Sequence, residues 1–127
     1  MKPRKIFYVI CVFSIALSMS CEKNSPTEES GTTNQIITQT ISKNQSYQYD
    51  LGNFGDEEGV SITKQANHFS QSELVRDINT AKIIYNYTPN IDFIGTDEVV
   101  IKSEKGSNGA SPNNVIVNTT IKLTITK

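Results

Sequence analysis

Ile83 to Lys102 reads IIYNYTPNIDFIGTDEVVIK, and this stretch decides the fold. Ile83, Ile84, Tyr85, Tyr87 and Thr88 are β-branched or aromatic, and Ile83, Tyr85 and Tyr87 fall on one face at a period of two, as a half-buried strand requires. Pro89 lacks a ladder donor and disfavours helix at the residue before it, so the strand is expected to stop there. Asn90, Asp92 and Gly95 mark a bend, and Phe93 can fold back over it as an apolar plug. Asp97 is placed to accept backbone N–H groups as a lock on the turn. From Glu98 the alternation resumes, with Val99 and Ile101 inward and Glu98 and Lys102 outward. Two strands joined by a locked corner form the edge of a β-sandwich.

Working outward, the same grammar recurs. Ile36 to Ile41 is a first strand, and Tyr47, Tyr49 and Leu51 alternate with Gln48 and Asp50 as a second. Gly52 to Gly59 is a turn, after which Val60 and Ile62 open a third strand. Phe69 to Ile78 has two readings, because Ser72 with Glu73 suits a helical turn about as well as Leu74, Val75 and Ile78 suit a strand pair. Lys105 to Asn114, with Gly106, Gly109 and Pro112, is an exposed hairpin loop. Val115, Val117, Thr119, Ile121, Leu123 and Ile125 then keep one phase as a closing strand or bent strand pair. Short strands at regular punctuation imply an all-β fold, a single β-sandwich of about seven strands over residues 34–127.

Tyr87-Thr88-Pro89, Phe93, Gly95-Thr96-Asp97, Val99 and Ile101 resemble the Y-T-P-x-x-x-F-x-G-x-D-x-[FV]-x-[YIV] core of bacterial cadherin-like and Ig-like repeat domains. Thr120-Ile121-Lys122-Leu123-Thr124-Ile125 is similar to their closing strand. The resemblance covers the last third of the chain. It departs from the family at Val99, where an aromatic is common, and at Glu104 to Gly109, where an acidic D-x-x-G loop is common. The resemblance implies an Ig-like/cadherin-like sandwich with Tyr87, Pro89, Phe93, Gly95 and Asp97 as its structural turn motif. It also implies a role as spacer, adhesion module or carbohydrate-binding appendage, which leaves activity open.

The N-terminus addresses the chain to an envelope. Lys2, Arg4 and Lys5 form a basic region ahead of the apolar run Ile6 to Leu17, which is shorter than the roughly 20 residues a membrane-spanning helix needs. Residues 1–20 read as a lipoprotein signal peptide, because Leu17-Ser18-Met19-Ser20-Cys21 resembles a bacterial lipobox of the loose form familiar in Bacteroidetes, with Cys21 as the lipidated residue. Residues 21–33 are polar and aperiodic, a flexible linker behind the membrane anchor. The expected location is that of a bacterial outer membrane lipoprotein, on the periplasmic face or the cell surface. Cys11 lies in the signal and Cys21 carries lipid, so the domain has no disulfide to hold it. After Ser20 there are nine basic against thirteen acidic residues, a net charge of about −4, which argues against nucleic acid as a partner.

Candidate sites are sparse. Asp50, Asp56, Glu57 and Glu58 gather oxygen ligands in one loop, and Ca2+ is the cofactor such a loop could take. Their spacing is not that of a calcium loop, and a solvated acidic turn is the commoner outcome, so no cofactor or metal is expected. Asp92, Asp97 and Glu98 could make a second cation site, against which the turn-locking role of Asp97 is favoured. His68 is the only histidine and is expected at a strand end rather than on zinc. The sequence holds no G-x-S-x-G, H-E-x-x-H or P-loop pattern, and no catalytic residues are assigned. The chain has no Trp, and Tyr47, Tyr49, Tyr85 and Tyr87 fall on expected core faces. The expected function is therefore that of a non-catalytic, membrane-anchored envelope lipoprotein, a structural or protein-interaction module docking on an envelope protein through an edge strand or end loops. The alternative is a glycan- or calcium-dependent ligand-binding module at the cell surface.

Overall fold

The structure, a computed structural model, describes residues 31–127. The expected signal peptide, Cys21 and the expected linker as far as residue 30 lie outside the described residues. Seven strands are formed: β1 (Gly31–Ser42), β2 (Tyr47–Asn53), β3 (Gly59–Lys64), β4 (Phe69–Arg76), β5 (Lys82–Pro89), β6 (Gly95–Lys105) and β7 (Val115–Thr126). They make a sandwich of a four-stranded sheet, ordered β1-β7-β6-β3, and a three-stranded sheet, ordered β2-β5-β4. Every pairing is antiparallel except that of β1 with β7.

The alternation at the centre of each sheet dictates the core. On β5 the inward residues Ile83, Tyr85 and Tyr87 are buried, and the strand ends at Pro89. Across from them stand Val99 and Ile101 of β6 and Ile121, Leu123 and Ile125 of β7, with Ile41 of β1 and Ala66 completing the cluster. Burying a side chain of this size contributes about 1.5–3 kcal/mol, so the three inner strands carry most of the stability. No buried side-chain polar atom among the described residues lacks a hydrogen bond.

Two expectations are corrected. Residues 31–33, expected in the linker, belong to β1, because Gly31 to Asn34 pair in register with Val115 to Asn118. Exposed polar residues are drawn into β1 by backbone pairing with β7 and not by burial, which is why hydrophobic periodicity marks only Ile36 to Ile41. Phe69 to Ile78 holds one strand, not a helical turn or a strand pair: β4 pairs with β5, and Asp77 caps the turn that follows by accepting from Asn79 N and Thr80 Oγ1. Phe54, in the loop that follows β2 as expected, is buried, 2% exposed. Its ring lies under Lys105 Nζ, 3.9 Å from the centroid, and its carbonyl accepts from Arg76.

Candidate functional site

The turn motif assembles a corner. β5 leaves one sheet and β6 enters the other through residues 90–94, where Asp92 takes φ 59° and Gly95 φ 148°. A Cβ at Gly95 would also stand 3.1 Å from the Phe93 ring, so glycine is required there on two counts. Phe93 packs on the core and stacks on His68, centroids 4.3 Å apart and planes 5° apart. His68 is thus exposed just ahead of β4, its ring held by an aromatic neighbour.

Asp97 does not lock its own turn as expected. Its buried carboxylate reaches from β6 to the β3–β4 connection, where Oδ1 accepts Asn67 N at 2.8 Å and Oδ2 accepts His68 N at 2.8 Å. Tyr87 Oη lies 3.0 Å from Oδ2, and Glu98 N donates to Oδ1 at 2.9 Å. Burial first, and then the negative Asp97, raise the Tyr87 phenol well above its ordinary range. Tyr85 is pushed up to about 12, chiefly by burial. Its hydroxyl lies 2.6 Å from Ser72 Oγ, whose proton goes to Gln65 Oε1. These groups hold the two sheets together; their donors and acceptors are spent on one another.

The acidic loop is spent in the same way. Asp50 Oδ2 pairs with Lys82 Nζ at 2.8 Å while Oδ1 accepts Gly52 N, and both contacts lower its pKa, the lysine bond most. Glu58 accepts Gly106 N and Gly55 N, which hold its carboxyl below the usual range, and Glu57 accepts Ser107 Oγ at 2.8 Å. Glu57 and Glu58 thus fasten the β2–β3 loop to the β6–β7 loop, while Asp56 is exposed to solvent. Among the described residues no three acidic, histidine or cysteine side chains converge as metal ligands. Tyr85 and Tyr87 are fully buried, and Tyr47 and Tyr49 pack against the core from β2.

Two hollows mark the surface. One, of about 410 Å3, is lined by Thr38, Asn67, Thr96, Glu98, Lys122 and Thr124 among others. The other, of about 180 Å3, includes Gln35, Tyr49, Ser103 and Lys105. The first is lined mainly by polar side chains, whereas Leu51 and Val117 make the second more apolar.

The feature that stands apart is the edge formed by β1. Gly31 N donates to Asn114 O and Lys43 N to Thr126 O. The register is continuous between them. In a parallel pair the residues with N–H and C=O toward the neighbour alternate along the strand. The odd-numbered residues of β1 therefore face β7, and Thr32, Asn34, Ile36, Thr38, Thr40 and Ser42 turn both backbone groups away from it. Ser42 N is occupied by Gln45 Oε1 and Thr40 O by Gln39 Nε2. From Thr32 to Thr38 no described residue takes the outward groups, and Ile36 is 66% exposed. Natural sheets blunt such edges with charge, proline or bulges. The other three edge strands do so: β2 carries Asp50 and a register shift between Asp50 and Asn53, β3 Lys64 and a shift between Ile62 and Lys64, and β4 Glu73, Arg76 and a shift between Phe69 and Gln71. β1, GTTNQIITQTIS, has no charge, no proline and no shift. Sequence reading could find its lack of charge but not its place at the edge, because strand order depends on pairing with residues some 80 positions away.

No family model matches the sequence, and no curated protein matches it. Among solved structures, the cysteine protease inhibitor EhICP2 from Entamoeba histolytica is similar with a TM-score of 0.41 and 13% identity, over 72% of this chain and 96% of that one. Amebosin is similar with a TM-score of 0.36 and 18% identity, over 75% and 98%. A sialyltransferase from Photobacterium damsela has a TM-score of 0.32 and 13% identity, over 73% of this chain and 18% of that one. Likenesses this distant carry no activity from those proteins to this one.

Proposed function

We propose that this chain is a non-catalytic envelope lipoprotein, anchored through Cys21, whose β-sandwich is a protein-interaction module. The observation that carries the reading is the unguarded β1 edge, since an exposed row of backbone donors and acceptors pairs with an added strand. The lipobox-like sequence, the export signal and the resemblance of Tyr87 to Ile101 to Ig-like and cadherin-like repeats support it. The acidic loop and the tyrosines favour it over the glycan- or calcium-binding alternative, because their polar groups and rings are engaged within the domain.

A photo-crosslinking residue placed at Thr38 on β1, and separately at Ser61 on β3, tests the reading in intact cells. The expected result is a discrete protein adduct from position 38, none from 61, and loss of the adduct when Cys21→Ala removes the anchor. Equal adducts from both edges, or none from either, would overturn it.

A further inference from the structure

We infer that the strand that docks on β1 is β1 of a second copy, paired antiparallel about a two-fold axis at Ile36. The inference rests on the interaction-module reading above and supplies its partner.

The open run fixes the register. With Ser42 N taken by Gln45 and Thr40 O by Gln39 Nε2, the outward N–H groups open to pairing are those of Thr32, Asn34, Ile36, Thr38 and Thr40, and the midpoint of that run is Ile36. Antiparallel self-pairing about this midpoint sets Ile36 opposite Ile36 of the other copy, Asn34 opposite Thr38, and Thr32 opposite Thr40. The Ile36–Ile36 and Asn34–Thr38 pairs each exchange two hydrogen bonds, and the Thr32–Thr40 pair gains one, from Thr40 N–H to Thr32 C=O, because Thr40 C=O is taken by Gln39 Nε2. Ile36, exposed in the single chain, gains its own counterpart as an apolar neighbour at the centre.

Charge decides which edge can do this. Only the residues at a two-fold axis meet their own counterparts, so a charge at the centre of a strand would face its own sign. β2, β3 and β4 each carry charge and are bent by a register shift. β1 alone carries neither a charge nor a register shift, so it can lie straight against itself over its whole length. Pairing would extend the four-stranded sheet across the axis into one continuous sheet. It buries little surface beyond the strand, so the contact is weak in dilute solution and is favoured where chains are concentrated on a membrane.

Symmetry supplies the test. Full-length chains carrying Ile36→Cys, Thr32→Cys or Thr40→Cys are treated in the envelope with a short bis-maleimide, the parent chain being the control for Cys11 and Cys21. Residues 36 of two copies would face each other with Cβ atoms about 5 Å apart. Residues 32 of two copies, eight positions out of register, would stand about 26 Å apart, as would residues 40. The expected result is a shift to twice the monomer mass with Ile36→Cys, none with Thr32→Cys or Thr40→Cys alone, and its return when those two are co-expressed. Dimers from all three single variants alike would overturn the two-fold register. An Ile36→Cys adduct to a different protein, without self-adduct, would overturn the second copy while leaving the docking reading standing. No adduct at any position would overturn both.

Discussion

At one margin of the four-stranded sheet, β3 shifts register between Ile62 and Lys64, and Lys64 pairs with Glu98 at 2.8 Å. At the other, β1 holds twelve consecutive residues in register with β7 and carries no charge. Both strands end the same sheet, and both expose backbone to water. The difference is that β3 carries the charge and the register shift of a guarded edge, whereas β1 carries neither. Low charge, β-branched residues and an absence of proline are what a strand needs to be paired on both sides, and on an open margin they favour association.

The comparison can be broken first at the core. Ile101, fully buried on β6, is expected to cost about 4 kcal/mol as Ile101→Ala, while Ile36→Ala on β1 costs within about 0.5 kcal/mol in the monomer. Urea unfolding of the two variants checks this, and equal losses would mean that Ile36 is already covered. Asp97→Ala is expected to lose about 3 kcal/mol, because it strands the N–H groups of Asn67 and His68 and the Tyr87 hydroxyl. A loss under 1 kcal/mol would show that the corner holds without the carboxylate.

A finer comparison runs along β1 itself. Gln39→Pro removes an N–H that faces β7 and is expected to cost about 2 kcal/mol, whereas Thr38→Pro removes an outward one and costs less. Thermal melting of the pair measures the difference, and equal losses would contradict the alternation assigned to the strand. The smallest effect under ordinary conditions comes from the phenols. Tyr85 and Tyr87 have folded-state pKa values raised above the unfolded value near 10, so their contribution is complete below that pH and is lost as pH rises from about 10 through the folded value, about 12 for Tyr85. Urea midpoints measured from pH 8 to 11.5 should stay level and then fall, with a shallower fall in Tyr87→Phe.

Much of the sandwich was legible because β5 and β6 bury alternate residues on one face and Pro89 and Gly95 punctuate them. What burial did not mark was not legible. The first half of β1 is exposed throughout and is strand only because β7 pairs with it. Phe54 is a lone aromatic between glycines, without a period to announce its burial. Asp97 was read as a lock, but its partners lie some 30 residues back, on a connection that only the crossing between sheets brings near. The candidate site was legible as composition and hidden as position, since no local pattern tells an uncharged strand whether it will be central or marginal.

The most direct measurement is residue-by-residue amide hydrogen exchange across β1 in the full-length chain, at low and high concentration. The account expects protected amides at the odd positions 33 to 41 under both conditions. At Asn34, Ile36 and Thr38 it expects fast exchange when dilute, protection when concentrated, and loss of that protection in Ile36→Lys. Fast exchange of those three amides at every concentration, or protection that ignores both dilution and Ile36→Lys, would contradict it.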